Sequence, residues 1–215
     1  MALLYRVNTD EMNDQSQFGD IMLQVQNFLY EQHGIKLINL VCDIDELLEK
    51  KFEGMEILNE EFIPKNLSDS QIINIIGERV RDITRDGILI IIDQYIFPQN
   101  YSLGYLELLT SILKKENIYK NIIFIVSDRE FNNDLYNSFL EEAIKKNIVR
   151  DKRNIKYVFS REFHDRFWIT PSEEGFICGS SLNGIGKKYS SIYDLSKEDC
   201  KEIMSTLRDK KLINF

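Results

Sequence analysis

The sequence contains few of the residues that define several common classes of site and fold. Its 215 residues include two histidines, three cysteines, three prolines and one tryptophan. The cysteines are odd in number, widely separated and without metal-ligand spacing, so they predict reduced thiols rather than a disulfide framework or a zinc site. Basic residues number 27 against 35 acidic ones, giving a formal net charge of −8. A polyanionic partner would therefore have to be met by a local basic patch.

Long apolar runs are also missing: the longest apolar segments have only the length of a strand. The first residues show neither the basic flank nor the apolar core of a secretory leader. We therefore expect a cytoplasmic, soluble protein with no membrane span. Hydrophobic residues make up 43% of the chain, enough for one sizeable core. These features predict a single domain over residues 1–215, with 1–35 as an N-terminal helical extension.

Strand-like and helix-like segments alternate through most of the chain. Short apolar runs predict strands at 37–42, 88–92, 122–126 and 155–159, and apolar residues at helical spacing predict helices at 18–29, 106–113 and 135–144. Ser68 with Gln71 forms a capping-box pattern, and Ser196 is placed to cap a final helix. The alternation predicts an α/β fold with a mostly parallel sheet flanked by helices. A C-terminal hairpin is expected from strands at 167–170 and 176–178.

The hairpin region carries the residues best suited to phosphate chemistry. His164 and Arg166 lie two positions apart, so on a strand they would share one face. After the second hairpin strand comes a bend of small polar residues, Gly179-Ser180-Ser181-Leu182-Asn183, followed by Lys187 and Lys188. A guanidinium beside an imidazole and a hydroxyl-rich bend is suited to binding a phosphate or phosphodiester.

This segment resembles the phospholipase D superfamily signature, in which His-x-Lys and an aspartate precede Gly-Ser-x-x-Asn. It resembles most a bacterial subgroup with His-Asp-Arg-Phe and Gly-Lys-Lys, found in mobile-element and phage-defence settings. The resemblance implies a phospholipase D-like half-domain and a phosphodiesterase or nuclease that needs no metal or cofactor and acts through a phosphohistidine. By the resemblance, the catalytic residues would be His164, Arg166 and Asn183, and the substrate-binding residues would be Ser180, Ser181, Lys187 and Lys188.

Two departures from the family pattern bear on catalysis. Arg166 replaces the lysine, and Pro171 stands where the aspartate is expected. The mechanism also needs two histidines, and His33 lacks the motif, so an active enzyme is expected to be a homodimer that pairs two copies of His164. Strand alternation would direct Asp165 away from His164, so we do not expect it to replace the missing aspartate.

Three alternatives remain open on the residues alone. The protein could be a catalytically inactive scaffold or ligand-binding module that joins a partner protein. Arg166 could serve only in an ion pair with Glu162 or Glu173. Carboxylates that close strands could bind Mg²⁺ for phosphoryl transfer; they are Asp43, Asp45, Asp93 and Asp128, with Asp43 and Asp45 as the leading pair. No aromatic platform with interleaved lysines is visible along the chain, so nucleic acid is one phosphodiester ligand among several.

Overall fold

The computed structural model describes residues 60–114 and 118–213. Within them lie seven strands, four α-helices and two short 3-10 turns. The strands are β1 (Glu60–Ile63), β2 (Ile88–Ile92), β3 (Asn121–Val126), β4 (Ile155–Phe159), β5 (Arg166–Ile169), β6 (Gly175–Cys178) and β7 (Ser190–Asp194). The α-helices are α1 (Asp69–Ile83), α2 (Tyr105–Leu113), α3 (Asn133–Lys145) and α4 (Lys197–Asp209). The helix predicted at 18–29, the strand predicted at 37–42, the 1–35 extension, and Asp43 and Asp45 lie outside the described residues.

The strands form one mixed sheet in the order β1-β7-β6-β5-β2-β3-β4. Only the β2–β3 and β3–β4 pairs are parallel, and the other four pairings are antiparallel. The prediction of a mostly parallel sheet flanked by helices was therefore wrong. The parallel part of the sheet is confined to the three apolar runs at 88–92, 122–126 and 155–159.

The connection after β4 explains the error. Parallel neighbours need a crossover long enough to return the chain to the starting edge of the sheet, usually through a helix. Residues 160–165 form instead a short connection without a helix or strand. The chain therefore stays at the edge where β4 ends, and β5 must run back beside β2 in the antiparallel direction. The hairpin of β5 and β6 and the return of β7 and β1 continue that antiparallel pattern.

Helix starts follow the local signals in the sequence. The Ser68 hydroxyl accepts the Gln71 backbone N–H, and the Gln71 side chain accepts the Ser68 N–H at 2.9 Å, which confirms the capping box. Ser196 accepts the Asp199 N–H at 3.1 Å at the start of α4. Such caps satisfy N–H groups that have no partner within the helix, so their effect is local and readable from sequence.

Two apolar clusters hold the helices against the sheet. The larger one joins residues of α1, α2 and α3 to one face, with Ile76, Leu109 and Phe139 each no more than 1% exposed. The smaller one joins Met204 and Leu207 of α4 to the other face. Within the described ranges, no helix is long and apolar enough to cross a membrane.

Candidate phosphate-binding site

The predicted site residues lie around the ends of two inner strands, where β2 ends and β5 begins. Asp93 directly follows β2, and Arg166 is the first residue of β5. In the β5–β6 register Arg166 lies opposite Cys178, the residue before the bend at 179–183. The antiparallel return of β5, which the sequence did not predict, is what brings these segments together.

Asp93 anchors the bend to the end of β2. Its side chain is 1% exposed, and its two carboxylate oxygens accept backbone N–H groups from Tyr95 at 2.9 Å and Leu182 at 3.3 Å. Burial raises the pKa of Asp93 to about 6, against the lowering effect of those two hydrogen bonds and of the Arg166 charge. A buried carboxylate with this pKa is characteristic of functional sites as well as of structural anchors.

Arg166 is half-buried, and its guanidinium lies over the Tyr95 ring, 5.8 Å from the centroid. The two carboxylates considered as ion-pair partners for Arg166 are engaged elsewhere, since Glu162 contacts Lys210 at 3.1 Å and Glu173 contacts Lys201 at 3.5 Å. Within residues 60–114 and 118–213, no carboxylate forms an ion pair with Arg166. Its five N–H donors are therefore suited to an external anion.

The bend contains a buried hydroxyl, that of Ser180. The Ser180 Oγ is buried, and no hydrogen bond to it is found in the described part of the chain. The Ser181 carbonyl accepts the N–H groups of Gly184 at 2.7 Å and Ile185 at 3.2 Å, so the backbone closes into a tight turn. A buried hydroxyl without a partner is costly and calls for an explanation, such as a ligand or an ordered water.

Both polar atoms of the Asn183 side chain have partners within the protein. Its Nδ2 donates to the Asn100 carbonyl at 3.1 Å, and its Oδ1 accepts from Lys187 Nζ at 3.2 Å. Both ends of the amide are therefore used to hold the turn in place. The predicted catalytic role of Asn183 stays a prediction, and Lys188 is exposed to solvent.

His164 lies in the 160–165 connection, just before β5, rather than on a strand. Its side chain is 95% exposed, and its Nδ1 is 3.2 Å from an Asp165 carboxylate oxygen. The expectation that Asp165 would point away was wrong, because strand alternation does not apply before β5 begins. The connection is held by Arg161, which contacts both Asp128 oxygens at 2.8 Å, and by a hydrogen bond from Gln94 to the Phe163 carbonyl.

Pro171 lies in the turn between β5 and β6, at the other end of the strand from Arg166. Four strand residues span roughly 13 Å, so an aspartate at that position would not reach the guanidinium. The carboxylate that does lie near Arg166 is Asp93. In the sequence, Asp93 is recognisable only as an acid that closes a strand. Its separation of 73 positions from Arg166 left no local signal of their contact.

The alternative magnesium site gains no support from the carboxylates that are described. Asp93 is buried and bonded to backbone, whereas Asp128 is exposed and occupied by Arg161. The hydrogen bond from Arg161 lowers the pKa of Asp128. Among the described residues, no group of three or more His, Cys, Asp or Glu side chains could hold a metal ion.

Comparisons with known proteins do not assign a family. No family model matches the sequence, and no curated protein matches it. Among solved structures, the chain is similar to TrmBL2, an archaeal chromatin protein whose structure is described as showing a novel mode of DNA binding. The match covers 95% of this chain and 69% of that one, at 11% sequence identity and a TM-score of 0.41.

Proposed function

We propose that this chain is a phospholipase D-like protein that binds a phosphate or phosphodiester group where β2 ends and β5 begins. The group would lie between the Arg166 guanidinium and the bend that contains Ser180 and Ser181. Two observations carry the proposal. Among the described residues, the half-buried Arg166 has no ion-pair partner, and Ser180, two residues beyond the Cys178 that lies opposite Arg166, has a buried hydroxyl without a hydrogen-bond partner. A phosphate oxygen would satisfy both donors with charge-assisted hydrogen bonds.

The position of Asp93 is compatible with an anion in this site. An ionised carboxylate would repel phosphate, but burial already raises the pKa of Asp93 to about 6. A bound anion would raise it further, so the carboxyl group would take up a proton as the anion binds. The neutral acid keeps an oxygen that can accept the Leu182 N–H and hold the bend.

A second candidate function is hydrolysis of the bound phosphodiester, favoured by the exposure of His164. With Asp165 beside Nδ1, the Nε2 atom is the one left to attack phosphorus. Attack would form a phosphorus–nitrogen bond and break the bond to the leaving oxygen, which would take a proton from a second histidine. Water, giving its proton to the same second histidine, would then attack phosphorus, break the phosphorus–nitrogen bond and release a phosphate monoester. His33 lacks the family motif, so a twofold dimer with two copies of His164 is the proposed source of the second imidazole.

Calorimetric titration with inorganic phosphate tests the binding proposal. Arg166→Gln should lose most of the affinity of the full chain, because it removes the charge and the bidentate donor pair. Arg161→Gln is the matched control, since Arg161 lies in the connection just before β5 but is already paired with Asp128. Equal phosphate affinity in wild type and Arg166→Gln would contradict the proposal.

Hydrolysis is tested separately with bis(4-nitrophenyl) phosphate in the presence of EDTA. The phosphohistidine route predicts turnover that survives EDTA and is lost in His164→Ala, with phosphate binding retained. Binding without turnover in the wild type would instead support an inactive, ligand-binding phospholipase D-like module.

A further inference from the structure

Two aromatic rings that are remote in the sequence stack on the surface next to this site. The Phe62 and Tyr189 ring centroids are 5.6 Å apart with an interplanar angle of 22°. Both residues remain largely open to solvent, at 64% and 63% exposure. The Lys65 ammonium lies 4.7 Å from the centre of the Tyr189 ring. We call Phe62, Tyr189 and Lys65 the aromatic platform.

The fold holds the aromatic platform in place through backbone contacts. β1 pairs with β7 so that Ile63 lies opposite Ser190, which sets Phe62 and Tyr189 at neighbouring positions. The Asn66 N–H donates to the Gly186 carbonyl at 2.7 Å and ties the loop after β1 to the loop before β7. The rings are therefore positioned before any ligand arrives, which reduces the entropic cost of binding.

Basic residues adjoin the aromatic platform and connect it to the proposed phosphate site. Lys187 and Lys188 are exposed and immediately precede Tyr189. Lys187 Nζ is 3.2 Å from Asn183 Oδ1, so it contacts the bend at 179–183. On the same side of β1 as Phe62, alternation places the exposed Glu60. Lys65, Lys187 and Lys188 outnumber that one carboxylate, so the local charge is positive. An overall acidic chain needs such a basic patch to bind a polyanion.

Stacked, exposed aromatic rings flanked by lysines match the chemistry of single-stranded nucleic acid. Unpaired bases stack on aromatic side chains, and the phosphates on either side contact the cations. A duplex would not fit in this way, because its bases are already stacked against each other.

We propose that the aromatic platform stacks a base of a single-stranded nucleic acid, with neighbouring phosphates at Lys65 and at the Lys187 and Lys188 pair. This deepens the proposed function by naming its ligand class, and it rests on that function for the phosphate held at Arg166.

Fluorescence anisotropy with a labelled oligothymidylate at low salt tests the proposal on the full chain. Phe62→Ala should weaken binding roughly tenfold, since one base–aromatic stack contributes about that much. Phe62→Tyr should bind the oligonucleotide as tightly as the wild type does, because a tyrosine ring stacks equally well. Lys65→Gln should reduce the salt dependence by about 0.7 in the logarithmic slope, the value for one phosphate contact to a single strand. Phe159→Ala is the control, because Phe159 is 46% exposed on β4 at the opposite edge of the sheet.

An abasic oligonucleotide of the same length separates stacking from phosphate binding. The proposal predicts that it binds more weakly than oligothymidylate and is insensitive to Phe62→Ala. Equal binding of the two oligonucleotides, no effect of Phe62→Ala, or no binding of oligothymidylate would overturn it. If Phe62→Ala acts as expected while Arg166→Gln leaves phosphate affinity unchanged, the aromatic platform stands and the proposed phosphate site fails.

Discussion

Replacing Asp93 by asparagine should remove a pH-dependent part of the stability of this protein. Asparagine has nearly the same size and keeps one oxygen that can accept a backbone N–H. It cannot accept both N–H groups, from Tyr95 and Leu182, that the carboxylate accepts now. That loss is independent of pH, whereas the ionisation of the buried aspartate is not.

The size of the effect follows from the shift in pKa. Burial raises the pKa of Asp93 from 3.8 to about 6, so the folded state holds the proton more tightly than the unfolded state. The stabilising contribution of the protonated form is complete below pH 3.8 and is lost as the pH rises through about 6. A shift of about two units corresponds to about 3 kcal/mol.

Urea unfolding followed by tryptophan fluorescence measures this directly. Trp168 is the one tryptophan of the chain, and it is 1% exposed and stacked on Phe176, so its emission should report loss of the core. The unfolding free energy of the wild type minus that of Asp93→Asn should fall by about 3 kcal/mol from about pH 4 to about pH 7.

Asp128→Asn provides the control, because Asp128 should show the opposite sign. Arg161 lowers the pKa of this exposed carboxyl, so its contribution is present at neutral pH and is lost as the pH falls below its usual value of 3.8. A difference between the wild type and Asp93→Asn that stays constant across the pH range would refute the reasoning about Asp93.

Two further predictions concern stability. Gly186→Ala should destabilise the protein by about 1–2 kcal/mol, since the residue has φ +74° and an added Cβ would lie 3.2 Å from Ile72 Cδ1. Gly184→Ala, whose Cβ would meet its nearest atom at 3.6 Å, is the control in the same urea experiment, and an equal loss there would contradict the explanation. Ser68→Ala should cost about 1 kcal/mol by removing the N-cap of α1, measured by the same unfolding curves. An unchanged unfolding midpoint would show that the Ser68 cap does not stabilise the folded protein.

Strand positions were predicted better than strand directions. The runs at 88–92, 122–126 and 155–159 are strands, as their continuous apolar composition indicated. β1 and β7 were missed, because each is short and exposes alternate residues without a continuous apolar run. Their existence depends on pairing with each other and with β6.

The residues of the candidate site were also predicted only in part. The segments that carry Arg166 and the bend at 179–183 were chosen from the sequence because of their residue types and hairpin spacing. The contribution of Asp93 was not predictable, since no local pattern links it to Leu182. The aromatic platform was missed because its two rings come from β1 and from the residue before β7, far apart along the chain.

The sequence by itself determined where α1 and α4 begin, which residues are apolar enough to form the sheet, and which segment holds the residues of the proposed phosphate site. These features depend on interactions within a few residues, such as the caps at Ser68 and Ser196. Only the tertiary structure decided that β5 runs back beside β2 and brings Arg166 to Asp93. That outcome depends on pairing between distant segments, whose free energy is not encoded in any short stretch of residues.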